Sequence, residues 1–214
     1  MQRTSDKDSV RSKLTFLRRG LALATASIAL TLGNFALAQT TFPGDGEGAI
    51  PDATVTGTFG TPLNITYPVS GVTGNLTNIS VALIWSHTWV GDLEVILAPP
   101  GVTPGNPGSF VIFSRVGALD DGSFGDGSNI NGSYRYQNDA TTNIWTAAAA
   151  LGDNDNLPSG DYRTVVAGPT TNPAAVTDFT AAFSGLTPAQ INGTWTLRFR
   201  DRGTGDTGSV GLAN

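Results

Sequence analysis

The side chains that most limit the chemistry of this 214-residue chain are histidine and cysteine, because it has one His and no Cys. His87 would have to serve in any Ser-His-Asp triad, since no other imidazole is available. It follows a predicted strand, and no Gly-x-Ser-x-Gly nucleophile turn accompanies it. A structural histidine that bonds a neighbouring turn is the better interpretation. The lack of Cys excludes disulfides, thiol chemistry and Cys-ligated zinc.

Acidic residues cluster in three Gly-rich loops, which cover residues 117–132, 152–161 and 201–208. Paired carboxylates could support glycoside hydrolysis, but carboxylates in Gly-rich loops suit cation binding or solvated turns better. Ca²⁺ takes about six to eight oxygen ligands, and Gly permits the tight backbone wrap that such a site needs. Calcium is therefore the better chemical prediction, although Asp and Asn are also simply good turn formers.

The four tryptophans bear on a second binding hypothesis. Trp85 and Trp195 lie in phase with apolar strand residues, which predicts that both belong to the core. Trp89 and Trp145 are freer and could form a stacking platform for a carbohydrate.

The elements that must position these residues are strands. Apolar residues alternate with period two in residues 79–85, 93–97 and 194–200, which predicts half-buried strands. Weaker strand patterns cover residues 53–59, 62–69, 109–114, 144–149, 162–167 and 208–213. The 27 Gly and 12 Pro exclude a helical bundle, and helical turns are expected only near 178–184 or 187–191. The sequence predicts an all-β sandwich or jelly roll.

The N-terminus predicts secretion. Residues 1–38 combine six basic residues, an apolar run and the small-residue pattern Ala-Leu-Ala, as in a cleaved signal peptide. A membrane anchor is the alternative, but the apolar run is near the minimum length for a span, so no stable membrane span is expected after cleavage. Residues 39–49 are Gly-rich and predict a flexible linker, and residues 50–214 are assigned to the β-sandwich domain.

Charge supports an extracellular or periplasmic location. Residues 39–214 contain six Arg, no Lys and fifteen acidic residues, a net charge of −9. Such a surface repels phosphate backbones and anionic lipids, so nucleic acid is not an expected partner. An acidic, Cys-free secreted chain also fits a setting in which Ca²⁺ is plentiful.

Several segments occur in an order that resembles a known family. Residues 87–97 read HTWVGDLEVIL and are followed by Pro-Pro-Gly. Further segments are 113–117 (FSRVG), 159–163 (SGDYR), 183–185 (FSG), 192–197 (NGTWTL) and 205–208 (GDTG). Together they resemble the P domain (P/Homo B domain), which follows the catalytic domain in kexin- and furin-like subtilisin proteases.

The resemblance implies an eight-stranded jelly-roll β-sandwich that stabilises a protease domain, tunes its calcium and pH dependence, and carries no triad residue. It also implies that Asp92, Asp201 and Asp206 are structural or linked to Ca²⁺. The expected oxygen ligands of a calcium site are Asp92, Asp201 and Asp206, with help from Asp121, Asp126 or Asp139.

Two departures from the family pattern affect these expectations. The predicted signal peptide leads almost directly into the P-like segment, with no subtilisin domain between them. The family also continues beyond its GDTG segment with a further closing strand, so the last strand is expected to be truncated at Asn214.

Three functions follow from the sequence. The first is a secreted, non-catalytic module that stabilises or docks onto an extracellular protein. The second is participation in serine-type proteolysis, as a piece or companion of a subtilisin-like endopeptidase. The third is a carbohydrate-binding or cell-surface adhesion module, since jelly rolls host many sugar binders.

Overall fold

A computed structural model of the chain describes residues 39–214, and the predicted signal peptide lies outside this range. The described part contains ten strands, three short α-helices and a one-turn 3₁₀ helix (Val90–Asp92). The strands are β1 (Gly48–Ile50), β2 (Leu63–Val69), β3 (Ser80–His87), β4 (Leu93–Ala98), β5 (Phe110–Ser114), β6 (Ile130–Gln137), β7 (Thr142–Asn143), β8 (Gly160–Arg163), β9 (Gly193–Asp201) and β10 (Gly208–Ala213). The α-helices are α1 (Ile144–Ala148), α2 (Phe179–Phe183) and α3 (Pro188–Ile191).

The strands form two sheets, which confirms the all-β class. One sheet has the order β1-β10-β3-β6-β8-β7, and the other has the order β2-β9-β4-β5. All pairings are antiparallel except those of β8 with β6 and β7. Trp85 of the first sheet packs against Phe199 and Phe113 of the second, with ring centroids 5.3 and 6.2 Å apart. The core therefore lies between the two sheets.

The strongest strand predictions are confirmed. β4 and β9 cover two of the three segments with clear alternation, and β3 covers the third from Ser80 onward. The buried residues of β9 recur at every second position. Trp85 and Trp195 are 3% and 4% exposed, as expected of core residues. The helical turns predicted near 178–184 and 187–191 are α2 and α3, which begin after Asp178 and Thr187.

Two local predictions are wrong, and one long strand was missed. Residues 144–149 were expected to be a strand, but most of them form α1, because the Asn143 side chain accepts a hydrogen bond from Trp145 N at 2.9 Å and caps a helix. Residues 53–59 form turns and bends instead of a strand. β6 was not predicted, because it begins within the Gly-rich loop assigned to residues 117–132.

The segment that was expected to be a flexible linker, residues 39–49, is partly paired. Gly44 N donates to Ala213 O at 2.8 Å, and β1 pairs with β10. β10 also pairs with β3 on its other side, so its backbone groups are used within the sheet. In residues 39–214 no helix has the length and apolar character needed to cross a membrane.

Candidate ligand-binding pocket

His87 is the last residue of β3, and it is paired inside the fold. Its Nε2 lies 3.2 Å from Oδ2 of Asp201, the last residue of β9, and both side chains are fully buried. The other ring nitrogen, Nδ1, is buried without a partner among residues 39–214. No substrate can reach this imidazole without opening the sandwich, so the pair is structural in this conformation. The predicted bond from His87 to a neighbouring turn is instead a bond to a distant strand.

Asp201 joins the end of β9 to the loop that follows it. Its second oxygen, Oδ1, accepts a hydrogen bond from Gly203 N at 2.9 Å. Because both oxygens are used and the side chain is buried, Asp201 connects β3, β9 and the 201–208 loop at one end of the sandwich.

Asp92 lies at the same end, in the 3₁₀ helix that connects β3 to β4. Trp89 precedes this helix and has a positive φ of 87°. Gly91, within the helix, allows the backbone of residues 124–126 to approach closely, since a Cβ at position 91 would lie 2.4 Å from Phe124 O. Asp92 is 5% exposed, and its main-chain oxygen accepts from Arg202 N at 3.0 Å. Its carboxylate accepts no hydrogen bond from any residue in the range 39–214.

The electrostatic surroundings of Asp92 are unfavourable to its charge. Burial, reinforced by the negative charges of Asp201 and Asp206, raises the pKa of Asp92 to about 7. His87 and Arg202 oppose this shift only in part. A carboxylate with a pKa raised in this way marks a candidate functional site.

Asp206 completes the acidic group. Its Oδ1 accepts a hydrogen bond from Thr88 Oγ1 at 3.0 Å, and Thr207 N donates to the same hydroxyl at 3.0 Å. The residue after His87 is thus tied to the 201–208 loop, in the way that His87 itself is tied to Asp201.

Asp92 and Asp206 open onto a pocket of about 300 Å³, called the Asp92 pocket below. Trp89 forms part of its wall, and its Nε1 donates to Phe124 O at 2.8 Å. Gly203 keeps the pocket open beside the carboxylate, because a Cβ there would lie 1.9 Å from Asp92 Oδ2. The lining residues are Thr56, Trp89, Asp92, Phe124, Gly203, Thr204 and Asp206.

The other predicted calcium ligands serve different contacts. Asp121 Oδ1 lies 3.2 Å from an Arg115 nitrogen, and Asp126 Oδ1 accepts from Ser128 N at 2.9 Å. Asp139 is exposed, and its side chain makes no hydrogen bond within residues 39–214. The structure thus brings together three of the six acids, Asp92, Asp201 and Asp206. Across the described range no group of three or more His, Asp or Glu side chains is arranged to hold a metal, and calcium binding stays a prediction.

The burial of the tryptophans differs in part from the prediction. Trp145 was expected to be free, but it is 1% exposed, because α1 packs it into the core. Trp89 is half-buried at the wall of the Asp92 pocket. Thr56, Phe124 and Thr204 also line the pocket, and sequence reasoning missed all three. The only signal for them was an isolated aromatic residue, Phe124, in the acidic loop of residues 117–132.

No protein-family model matches the chain, and neither a curated protein nor a solved structure is significantly similar to it. The P/Homo B resemblance therefore depends on the motif residues alone and stays a prediction.

The close approach of Gly203 to Asp92 leads to a stability prediction. Gly203→Ala is expected to lower the free energy of unfolding by about 1 kcal/mol, because the new methyl displaces the Asp92 carboxylate into the pocket. Gly74→Ala is the control, since a Cβ at Gly74 meets nothing within 4 Å. Urea unfolding of both variants checks the prediction, and equal midpoints would contradict it.

Proposed function

We propose that this chain is a secreted, non-catalytic β-sandwich module of the P/Homo B type, with jelly-roll connectivity, that docks onto and stabilises an extracellular protein. A subtilisin-like serine endopeptidase is the partner class that the resemblance implies. The module would contribute to proteolysis by supporting such an enzyme, not by cleaving bonds itself.

One observation carries this proposal. Two of the segments that carry the resemblance, residues 87–97 and the segment formed by Asp201 and residues 205–208, are more than a hundred residues apart and are joined by hydrogen bonds. Four contacts join them: His87 with Asp201, Thr88 with Asp206, Thr88 with Thr207, and Asp92 with Arg202. Each segment resembles the P/Homo B pattern independently of the other. Their contact in the fold therefore supports the proposal that the chain shares the P/Homo B fold.

The non-catalytic part of the proposal is supported by the burial of His87. A general base must come within hydrogen-bond reach of the group it deprotonates. His87 is fully buried and already lies beside Asp201. We expect the purified chain to leave casein intact in the presence or absence of a serine-directed inhibitor. Inhibitor-sensitive hydrolysis by the pure chain would contradict this.

Docking is tested by capture. The purified chain is immobilised and exposed to a defined subtilisin-like protease whose own P domain has been removed. We expect the protease to be retained and its thermal inactivation to slow, because a ligand of the native state stabilises it by mass action. Retention equal to that on an immobilised unrelated acidic β-sandwich would contradict this partner class.

A carbohydrate-binding function is the second candidate, and the wall of the Asp92 pocket favours it. Trp89 and Phe124 lie beside carboxylates there, as in sites where an aromatic ring stacks on a sugar. This function requires retention on an insoluble polysaccharide that is lost in Trp89→Ala and kept in Asp139→Ala, which changes an exposed residue outside the pocket.

A further inference from the structure

We propose that the Asp92 pocket binds the cationic side chain, Arg or Lys, of a residue that a partner protein presents from an apolar surface. The proposal builds on the docking function above and specifies the chemistry of the contact. Three features of the described residues carry it: an uncompensated acid at the floor, aromatic walls, and an exposed apolar rim.

The carboxylate at the floor of the pocket has no hydrogen-bonded counter-charge among residues 39–214. Buried charges are normally paired and hydrogen-bonded, yet the carboxylate of the 5%-exposed Asp92 accepts no hydrogen bond within residues 39–214. The nearby Arg202 does not supply one, because its guanidinium donates to Asp121 O at 2.9 Å. Asp206, on the same pocket wall, adds a second negative charge. A cation that enters the pocket supplies the missing partner.

The walls favour an organic cation over a metal ion. Ca²⁺ needs about six to eight oxygen ligands, whereas this pocket offers Trp89 and Phe124 beside its carboxylates. Aromatic faces attract ammonium and especially guanidinium groups, and a planar guanidinium can also donate two parallel bonds to one carboxylate. At about 300 Å³ the pocket is far larger than an ion and lies at the lower end of the range for organic ligands.

The rim indicates that the cation belongs to a protein. The three most exposed large apolar residues of the described chain are Val55, Leu119 and Phe124, each 60–62% exposed. Phe124 lines the pocket, and Arg202 joins the loops that carry the other two, through bonds to Gly57 N and Asp121 O. Exposed apolar residues on adjoining loops are typical of a protein-binding surface. The net charge of −9 over residues 39–214 also favours a basic partner.

The test uses two peptides that differ by one group, together with a small guanidinium compound. We measure binding of acetyl-Leu-Arg-Leu-amide, of the same peptide with neutral citrulline in place of Arg, and of agmatine to the purified chain by NMR titration. The Arg peptide is expected to bind at least about tenfold more tightly than the citrulline peptide, and more tightly than agmatine, which has no apolar flanks. Equal binding of the two peptides overturns the proposal. Agmatine binding as tightly as the Arg peptide overturns the assignment to a protein side chain.

Two variants locate the contact. Asp92→Asn preserves the shape of the side chain and removes its charge. This variant is expected to bind the Arg peptide about tenfold more weakly than the parent chain does. Asp139→Asn removes an exposed acid elsewhere and is expected to have no effect. The thermal unfolding curve of each variant confirms that it is folded. Unchanged affinity in the folded Asp92→Asn variant overturns the proposal, as does tight CaCl₂ binding that this variant abolishes.

The test of the Asp92 pocket and the test of protease docking can fail independently of each other. A captured protease that is held equally well by Asp92→Asn leaves docking in place and overturns the pocket assignment. Arg-peptide binding that depends on Asp92, without capture of the protease, supports the pocket and contradicts the partner class.

Discussion

Asp92→Asn is expected to stabilise the chain at pH 8 by about 2 kcal/mol, with a gain that shrinks as the pH falls toward 4. The pKa of Asp92 is raised from 3.8 to about 7 in the folded chain, by burial and by Asp201 and Asp206. Each pKa unit corresponds to about 1.4 kcal/mol. The expected gain is about half of the free energy that the whole pKa shift would give, because the carboxylate faces a pocket that solvent can enter.

The direction of the effect follows from proton binding. Below pH 4 the carboxyl is protonated in both states, so it imposes no penalty. Between pH 4 and 7 the unfolded chain loses this proton while the folded chain keeps it, so the stability of the parent falls as the pH rises. Above pH 7 the penalty is complete. The Asn side chain of the variant titrates in neither state, so the variant does not lose this stability as the pH rises.

Urea unfolding of the parent and the variant at pH 4.5, 6 and 8 measures the difference. Asp139→Asn is the matched control, because Asp139 is exposed and its removal should change stability by less than about 0.5 kcal/mol at each pH. A gain that is the same at all three pH values, or a loss at pH 8, would contradict the burial of an uncompensated charge. The expected combination of greater stability and weaker Arg-peptide binding is typical of a residue that serves a site at the expense of the fold.

The strands were predictable from the sequence wherever one face of the strand is buried and the other is exposed. Trp195, Leu197 and Phe199 are buried at alternate positions of β9, and the same period is visible in their spacing. β6 has no such signal, because its buried face is mainly Tyr134 and Tyr136 after a Gly-rich loop. The short helix α1 was missed for a different reason, since a single side-chain cap decides between helix and strand there.

The candidate site was predictable in its residue types but not in its grouping. Asp92, Asp201 and Asp206 were identified through their motifs, whereas their proximity depends on the pairing of β3 with β10 and of β4 with β9. Asp121 and Asp126 look equivalent to Asp92 in the sequence, yet each accepts a hydrogen bond, which the Asp92 carboxylate does not. The missing partner of Asp92 is a property of the packed structure, and no spacing rule reveals it.

Asp201→Ala is expected to cause the largest loss of stability, about 3 kcal/mol at pH 6. The substitution removes the acceptor of Gly203 N and leaves both ring nitrogens of the buried His87 without a partner. Breaking a buried, hydrogen-bonded pair by removing one member costs more than the pair contributes, because the remaining polar groups stay desolvated.

Three comparisons distinguish this explanation from a general packing defect. Asp201→Asn keeps an oxygen for Gly203 N and should recover part of the loss, whereas Asp139→Ala should change stability by less than about 0.5 kcal/mol. In the double variant His87→Ala, Asp201→Ala, the cost should be less than the sum of the single costs, because each single variant already breaks the same bond. Urea unfolding at pH 6 measures these four variants, the single variant His87→Ala and the parent. Strictly additive costs would mean that His87 and Asp201 contribute independently, and the connection between β3 and β9 would then depend on apolar packing alone.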